Sequence, residues 1–163
     1  MSYAIEIISN PNFLEFGDFI NPYDKKPEEI NTNTTKSYFD LANIEILGED
    51  NKARLNLFDA KKREFPLMID MLEKHPLSSQ VFLPLGNNPF FVIVCPAAVK
   101  PDLNNLKIFK VNRGNGINFK PKVWHFPLIS IDDAKFITVD KKNDLNNLEI
   151  YNFTEEEIFN IDG

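Results

Sequence analysis

Hydrophobic and polar residues alternate along much of the chain with the period of two that is typical of β-strands. The runs "YAIEII" near the N-terminus and "ARLNLF" within residues 52–58 show this alternation. Further strand-like runs cover residues 36–41 and 43–47, and "FPLMIDML" favours a strand because it starts at Pro66 and is rich in bulky residues. "QVFLPL" and "FFVIV" are strand-sized and are separated by "GNNP", which predicts a hairpin between them.

Other segments depart from the strand pattern. Residues 21–35 are polar and contain proline, which predicts a loop. In the first of two predicted short helices, Asn10 is the N-cap, Pro11 fits the first turn and Gly17 fits the end. The acidic run "TEEEIFNIDG" predicts a short surface helix or a frayed end. The second predicted helix, "PDLNNLKIFKV", has Asp102 as its N-cap, and its apolar face carries Leu103, Leu106 and Phe109.

The spacing of the predicted strands indicates the fold class. Strands recur about every 8–12 residues with Gly, Asn and Pro between them, which is typical of a β-barrel or a β-sandwich. The chain shows no internal repeat, so residues 1–163 are predicted to form a single domain. Hydrophobic residues make up 43% of the chain and include fifteen Phe, which is enough for a substantial core.

Composition excludes several classes of partner. The net charge of −6 and the pI near 5.0 argue against a nucleic-acid or anionic-membrane surface, because both need clustered Lys and Arg. No apolar run approaches the ~20 residues of a membrane-spanning helix, and the N-terminus lacks a signal-peptide pattern, so we expect a cytoplasmic protein. The single cysteine, Cys95, excludes an internal disulfide and a Cys-based zinc site, and its apolar neighbours predict a buried, inert thiol.

The chain has only two histidines, and each lies in a strand-like segment with a proline close behind it. His75 belongs to "LEKHPLSSQVFLPLG" and His125 to "KVWHFPL". Glu73 precedes His75 by two positions, so on a strand both side chains project to the same face. The bend "PLSS" can bring the amide of Gln80 back toward them. These residues are either structural, or bind a metal, or move a proton in a pocket.

The spacing around the histidines resembles the two metal-binding motifs of cupins, H-x-H-x4-E-…-G and a later histidine. Here it reads Glu73-x-His75-x4-Gln80-x5-Gly86, followed by "PKVWH" around His125. Two of the four usual ligand types match, while Glu73 and Gln80 stand in place of the other two. The resemblance implies a divalent metal ion as a candidate cofactor, with His75, His125, Glu73 and Gln80 as its candidate ligands.

A longer pattern resembles the ureidoglycolate lyase family of allantoin and purine degradation. "LEKHPLSSQVFLPLG", followed by "NGINFKPKVWHFPL" and "FITVD", is similar to the family pattern LERHP-x-x-x-Q-x-F-x-P and then G-x-N-x-x-x-x-x-W-H-x-P-L. "FLEFGDFI", "YFDLANIEIL" and "PDLNNLKIF" also look like family segments, so the likeness spans most of the chain. The resemblance implies a mainly β, cupin-like barrel with one or two short helices, assembled as a homodimer.

The chain departs from the family pattern at two places. Family members often carry a basic residue after a phenylalanine that follows the third strand, whereas this chain has Phe58 and then Asp59. Many also have a basic pair that includes histidine before "WH", whereas this chain has Lys120, Pro121 and Lys122. Both departures concern residues that would bind a substrate carboxylate.

The resemblance implies an enzyme that cleaves ureidoglycolate into glyoxylate and urea. His75 and His125 would handle the proton directly or ligate a metal that polarises the substrate hydroxyl. Gln80 would hydrogen-bond substrate oxygens, and Glu73 would ligate a metal or orient a histidine. The candidate cations for the substrate carboxylate are Lys120, Lys122 and Arg113. Asp140 would orient a base, and Trp124 and Phe82 would wall the cavity.

Three other functions remain open at the level of the sequence. The first is a hydrolase that acts on the same substrate and releases ammonia and carbon dioxide with glyoxylate. The second is a non-catalytic, cupin-like protein that binds a small carboxylate. The third is a metal-dependent cupin enzyme, such as an isomerase or a dioxygenase. The nitrogen product formed from ureidoglycolate separates the first of these from the lyase.

Overall fold

The computed structural model describes residues 3–142 and 146–163. It contains one α-helix, α1 (Asn10–Phe13), and short 3-10 turns at Pro22–Asp24 and Leu103–Asn105. Most of the described chain lies in strands, and these are, in chain order, β1 (Ile5–Ile7), β2 (Gly17–Ile20), β3 (Glu28–Ile30), β4 (Thr35–Ser37), β5 (Ala53–Ala60), β6 (Leu67–Ile69), β7 (Met71–Lys74), β8 (Gln80–Pro84), β9 (Phe90–Cys95), β10 (Lys107–Val111), β11 (Gly116–Phe119), β12 (Trp124–His125), β13 (Ile129–Ser130), β14 (Ala134–Lys141), β15 (Glu149–Asn152) and β16 (Phe159–Ile161).

The strands form two main sheets. The first has the order β1-β10-β9-β12-β7-β15, with β13 also paired to β9, and the second has the order β2-β11-β8-β14-β5. Neighbours in both sheets are antiparallel except β1 and β10, which are parallel. Two-stranded pairs, β6–β16 and β3–β4, complete the described strands. The predicted fold class, a mainly β and cupin-like architecture with short helices, is confirmed.

The core sits on both faces of the first sheet. All six residues of β9 are buried, and they alternate between two hydrophobic clusters. Val92 and Val94 face the second sheet together with an aromatic group that includes Phe109 and Phe119. Ile93 and its neighbours on the other face pack against the 3-10 turn at Leu103 and the pair β6–β16. A strand buried on both faces reads as a continuous apolar run, which is what "FFVIVC" shows.

Strand and loop predictions in the first half of the chain are confirmed only in part. "FPLMIDML" forms β6 and β7, and the alternating run "ARLNLF" forms β5. In the predicted loop 21–35, β3 forms a small hairpin with β4. In the predicted strand 43–47, only Ile46 forms a bridge, to Ser78.

The hairpin predicted across "GNNP" is wrong. β8 pairs with β11 and β14 in the second sheet, whereas β9 pairs with β10 and β12 in the first sheet. The connection therefore carries the chain from one sheet to the other. Local turn residues cannot distinguish this crossing from a hairpin, because both need the same Gly, Asn and Pro chemistry.

The helix predictions also need correction. "PDLNNLKIFKV" forms only a 3-10 turn, after which Lys107–Val111 becomes β10, held between β1 and β9. Asp102 does cap that turn, because its side chain accepts a hydrogen bond from the Asn104 amide. Helix α1 is shorter than predicted: its N-cap is Ser9 rather than Asn10, and Gly17 begins β2. In "PDLNNLKIFKV", the hydrogen bonds to β1 and β9 outweigh the weak helical pattern, which is too short to stabilise a helix by itself.

The C-terminal prediction is wrong as well. Residues 155–157 form turns, but Phe159–Ile161 forms β16 and pairs with β6. Phe159 and Ile161 are buried in the second cluster, so this end is packed rather than frayed. Cys95 is buried as predicted, and burial raises the pKa of its thiol to about 12. No helix in the described residues is long and apolar enough to span a membrane.

Candidate active site

Glu73, His75 and His125 converge between the two sheets. Glu73 lies on β7 and His125 on β12, and the two are direct partners in the antiparallel register, so their side chains share a face. His75 follows Glu73 by two positions, which returns it to the same face as predicted. One ligand atom from each of the three residues lies within 4.8 Å of the others.

Main-chain carbonyls orient both imidazoles. Nδ1 of His75 is 2.6 Å from the carbonyl oxygen of Asn147, and Nδ1 of His125 is 3.1 Å from that of Val123. A carbonyl oxygen can only accept a hydrogen bond, so in each neutral ring the proton sits on Nδ1. The lone pair of each Nε2 is then available to the interior of the site.

The two Nε2 atoms are buried and have no hydrogen-bond partner in the described part of the chain. The nearest acidic atom, Oε1 of Glu73, is 3.6 Å from Nε2 of His125, which is longer than a hydrogen bond. Their interaction is therefore electrostatic. Buried polar atoms are normally bonded, so this pair of unpartnered acceptors indicates a site that is completed by a ligand.

The ionisation of the site reflects burial and the closeness of the three groups. Burial lowers the pKa of His75, and the nearby His125 lowers it further, while the Asn147 carbonyl, Glu73 and Asp140 act in the opposite direction. For Glu73, burial raises the pKa, but the two imidazoles outweigh it and the net shift is downward. Glu73 is consequently an ionised carboxylate beside a neutral His75.

An aromatic wall supports His125 from the second sheet. Its ring stacks on Phe119 with 4.2 Å between centroids and 14° between planes, and the ring of His75 lies 5.4 Å from it. Phe82 packs against Phe119 at 6.0 Å. Phe82 is thus one ring removed from His125, within the hydrophobic cluster between the two sheets.

Gln80 lies beside this wall. It is the register partner of Phe119 on the neighbouring strand, so its side chain shares the inward face of the second sheet. Its Oε1 atom is buried and has no partner in the described residues. The structure therefore places a buried, unpartnered acceptor on the same face as Phe119, the residue that stacks on His125.

A buried asparagine holds the bend between His75 and Gln80. The side chain of Asn147 accepts a hydrogen bond from the Leu77 amide at 2.7 Å and donates one to Oγ of Ser78 at 2.9 Å. Because its carbonyl also binds His75, Asn147 fixes both the bend and the ring. Nothing in the "LNNLEI" run marks Asn147 in the sequence, and we did not predict it.

Asp140, predicted to orient a base, is buried at the same face. The register that pairs Val139 with Val81 places Asp140 next to Gln80, and its charge influences His75. Its two oxygens accept hydrogen bonds from Arg54 at 2.7 and 3.0 Å and from Asn56 at 3.2 Å. The sequence prediction missed Arg54 and Asn56, although the polar positions of "ARLNLF" signalled that one face of β5 carries both.

The structure does not bring the other predicted substrate-binding residues to this cluster. Trp124 points to the opposite face of β12, where its indole donates a hydrogen bond to the Ala98 carbonyl. Lys120 is exposed and bonds the Leu14 carbonyl, and Lys122 is exposed, although its amide donates to the His75 carbonyl. Arg113 is exposed in the turn before Gly116, at the end of β11 remote from Phe119.

The donor set fits a divalent cation. Two imidazole Nε2 atoms and a carboxylate oxygen are a common combination for first-row transition metals. Each imidazole is oriented by a hydrogen bond from its other nitrogen, as is usual for metal-binding histidines. The unpartnered state of both Nε2 atoms agrees with this interpretation.

Comparison with known proteins agrees with the family resemblance found in the sequence. The family model described as ureidoglycolate lyase matches residues 2–160. A protein named ureidoglycolate lyase from Stutzerimonas stutzeri (strain A1501) is 36% identical over 155 residues, which cover 94% of this chain and 91% of that protein. Proteins of the same name are 38% identical in Pseudomonas aeruginosa (strain LESB58) and 35% identical in Pseudomonas putida (strain GB-1), each over 94% of this chain and 91% and 93% of theirs.

Proposed function

The chain belongs to the ureidoglycolate lyase family, and on that premise we propose that it cleaves ureidoglycolate into glyoxylate and urea. The observation that carries the proposal is the convergence of the half-buried carboxylate of Glu73 with the two buried, unpartnered Nε2 atoms of His75 and His125. These residues come from the same two sequence segments that resemble the family. Urea formation from ureidoglycolate tests the proposal directly.

The reaction moves one proton and breaks one bond. The hydroxyl on the central carbon of ureidoglycolate loses its proton as its oxygen forms the carbonyl of glyoxylate. The bond between that carbon and the ureido nitrogen breaks, the electron pair goes to nitrogen, and the nitrogen takes a proton to give urea. The site must therefore accept a proton from oxygen and return one to nitrogen.

Glu73 is the residue best placed to carry that proton. It is ionised, and its side chain is 20% exposed, compared with 2% for His125. One carboxylate oxygen lies beside Nε2 of His125, which leaves the other for the substrate hydroxyl. Phe119 keeps the His125 ring, and with it Nε2, in place beside that carboxylate.

We propose that Glu73, His75 and His125 also hold a divalent cation. When bound, such a cation would polarise the substrate hydroxyl and favour loss of its proton. Gln80, which the sequence also suggested as a ligand, lies on the facing sheet, and we assign it to the substrate instead. Because its unpartnered atom is Oε1, we propose that it accepts a hydrogen bond from a ureido N–H.

We further propose that the protein is a homodimer formed through β5. This eight-residue strand is at the edge of the second sheet and pairs only with β14 in the described residues. Its outward face exposes Leu55 by 70% and Leu57 by 55%. A second copy that pairs its own β5 antiparallel to this one would satisfy the free main-chain groups and bury both leucines in a two-fold interface.

We place this enzyme in the cytoplasm, in the breakdown of allantoin. The support is the family membership and the acidic composition with a single, buried cysteine, which suits a reducing compartment. Glyoxylate and urea are the products that such a pathway would release at this step. Detection of glyoxylate and urea in equal amounts tests the assignment to this step.

A further inference from the structure

Four side chains form a row across the inward face of the second sheet. Phe119 is the register partner of Gln80, and Asp140 is the partner of Arg54. The register between β8 and β14 pairs Val81 with Val139 and, continued by one residue, places Gln80 beside Asp140. The row therefore runs Phe119, Gln80, Asp140, Arg54, with strands about 4.8 Å apart.

This row faces the proposed reaction centre. Its first member stacks on His125, and the other three members follow Phe119 strand by strand on the same face of the sheet. The row thus leads from the histidines through an unpartnered amide oxygen to a guanidinium. Within the described second sheet, Arg54 is the one cation on the inward face, because Lys135 and Lys141 lie on the opposite face of β14.

We propose that Arg54 binds the carboxylate of the substrate. The Arg54 guanidinium donates two hydrogen bonds to Asp140, one from Nε and one from Nη2. Within the described residues it donates to no other group. A guanidinium has five N–H donors, so the edge formed by Nη1 and Nη2 stays free for a second carboxylate. The Arg54 side chain is 46% exposed, so that edge is accessible from solvent.

Asp140 acts as a positioning residue in this arrangement. It is buried, its two oxygens hold the guanidinium in a bidentate contact, and Asn56 bonds the same carboxylate. Held in this way, Arg54 loses little side-chain freedom when a ligand arrives. The family pattern has a basic residue after Phe58, where this chain has Asp59. We propose that Arg54 supplies the positive charge that is missing at that position.

The identity of the substrate rests on the proposed function, but carboxylate binding is measurable without turnover. Isothermal titration of the purified full chain with glyoxylate, and separately with urea, gives the affinity for a charged and a neutral product. Arg54→Gln is expected to weaken glyoxylate binding at least about 10-fold, the effect of losing a charge-assisted hydrogen bond. It should leave urea binding unchanged and raise KM for ureidoglycolate more than it lowers kcat.

Two further variants make the test specific. Lys61→Gln removes a cation that is paired with Asp133 at 2.9 Å just beyond the same strand, and it should leave glyoxylate binding unchanged. Arg54→Lys keeps the charge without the bidentate fork and should recover part of the lost affinity. Circular dichroism checks that each variant is folded.

The possible results separate this subsite from the proposed function. Equal losses for glyoxylate and urea, or no loss for either, would overturn the assignment of Arg54. If the wild-type protein makes no urea but binds glyoxylate in a way that depends on Arg54, the lyase proposal fails and the subsite stands. If turnover is normal and Arg54→Gln binds glyoxylate as tightly as the wild type, the subsite fails alone.

Discussion

Glu73 and His125 are register partners on adjacent strands, and Oε1 of the first lies 3.6 Å from Nε2 of the second. The carboxylate is ionised and more exposed than the His125 imidazole, and we propose it as the acceptor of the substrate's hydroxyl proton. Glu73→Gln keeps the size of the side chain but removes that function. We expect kcat to fall at least ~100-fold, measured as glyoxylate release.

The control for this variant is Glu64→Gln, which neutralises an exposed carboxylate outside the site. It should keep wild-type kcat. A Glu73→Gln enzyme that retained kcat within about threefold would exclude the carboxylate as the proton carrier, since general-base catalysis typically contributes more than that.

His75→Ala and His125→Ala should each lower turnover at least ~100-fold, because each removes one of the two buried Nε2 atoms at the proposed reaction centre. His125→Asn removes the same atom but keeps an N–H donor near the Val123 carbonyl. Steady-state kinetics with ureidoglycolate measures the effect, and thermal unfolding monitors the fold. Folded variants with near wild-type activity would show that the histidines are structural.

Asn147→Ala should destabilise the fold by about 3 kcal/mol. The change leaves the half-buried Leu77 amide without its acceptor and removes a hydrogen bond to the buried Ser78, and each such loss costs about 1–3 kcal/mol. Urea unfolding measures the free energy. The exposed Asn160→Ala should change it by less than about 0.5 kcal/mol. Equal stabilities for the two variants would refute the role given to Asn147.

Leu57→Glu should convert the proposed dimer to a monomer, because it places a charge at the centre of an apolar contact. Light scattering after size exclusion measures the mass. Val99→Glu changes another exposed apolar residue, far along the chain and outside β5, and should leave the dimer intact. A wild-type monomer, or a dimer that tolerates Leu57→Glu, would contradict the β5 interface.

Much of the site was predictable from sequence because its chemistry depends on short-range spacing. Glu73 and His75 are two positions apart on a strand, and that period alone places them on one face. The bend before Gln80 was also visible. The pairing of these residues with His125 required the resemblance of the two segments to the family, since nothing local joins β7 to β12.

The predictions that were wrong depended on long-range pairing. "LKIFKV" became β10 because β1 and β9 flank it, and "GNNP" became a crossing between sheets, although both patterns allow the other outcome. From the sequence, the candidate cations for the substrate carboxylate were Lys120, Lys122 and Arg113. Our proposal of Arg54 instead depends on the register of β5 and β14, which the sequence of either strand alone does not contain.

The most direct test of the central claim is the product assay of the wild-type protein with ureidoglycolate. We predict glyoxylate and urea in equal amounts and no ammonia, with activity lost after dialysis against a chelator and restored by a divalent cation. Ammonia in place of urea would identify a hydrolase. Glyoxylate binding without any product from ureidoglycolate would identify a binding protein, and either result would contradict the assignment of Glu73, His75 and His125 as the centre of a lyase.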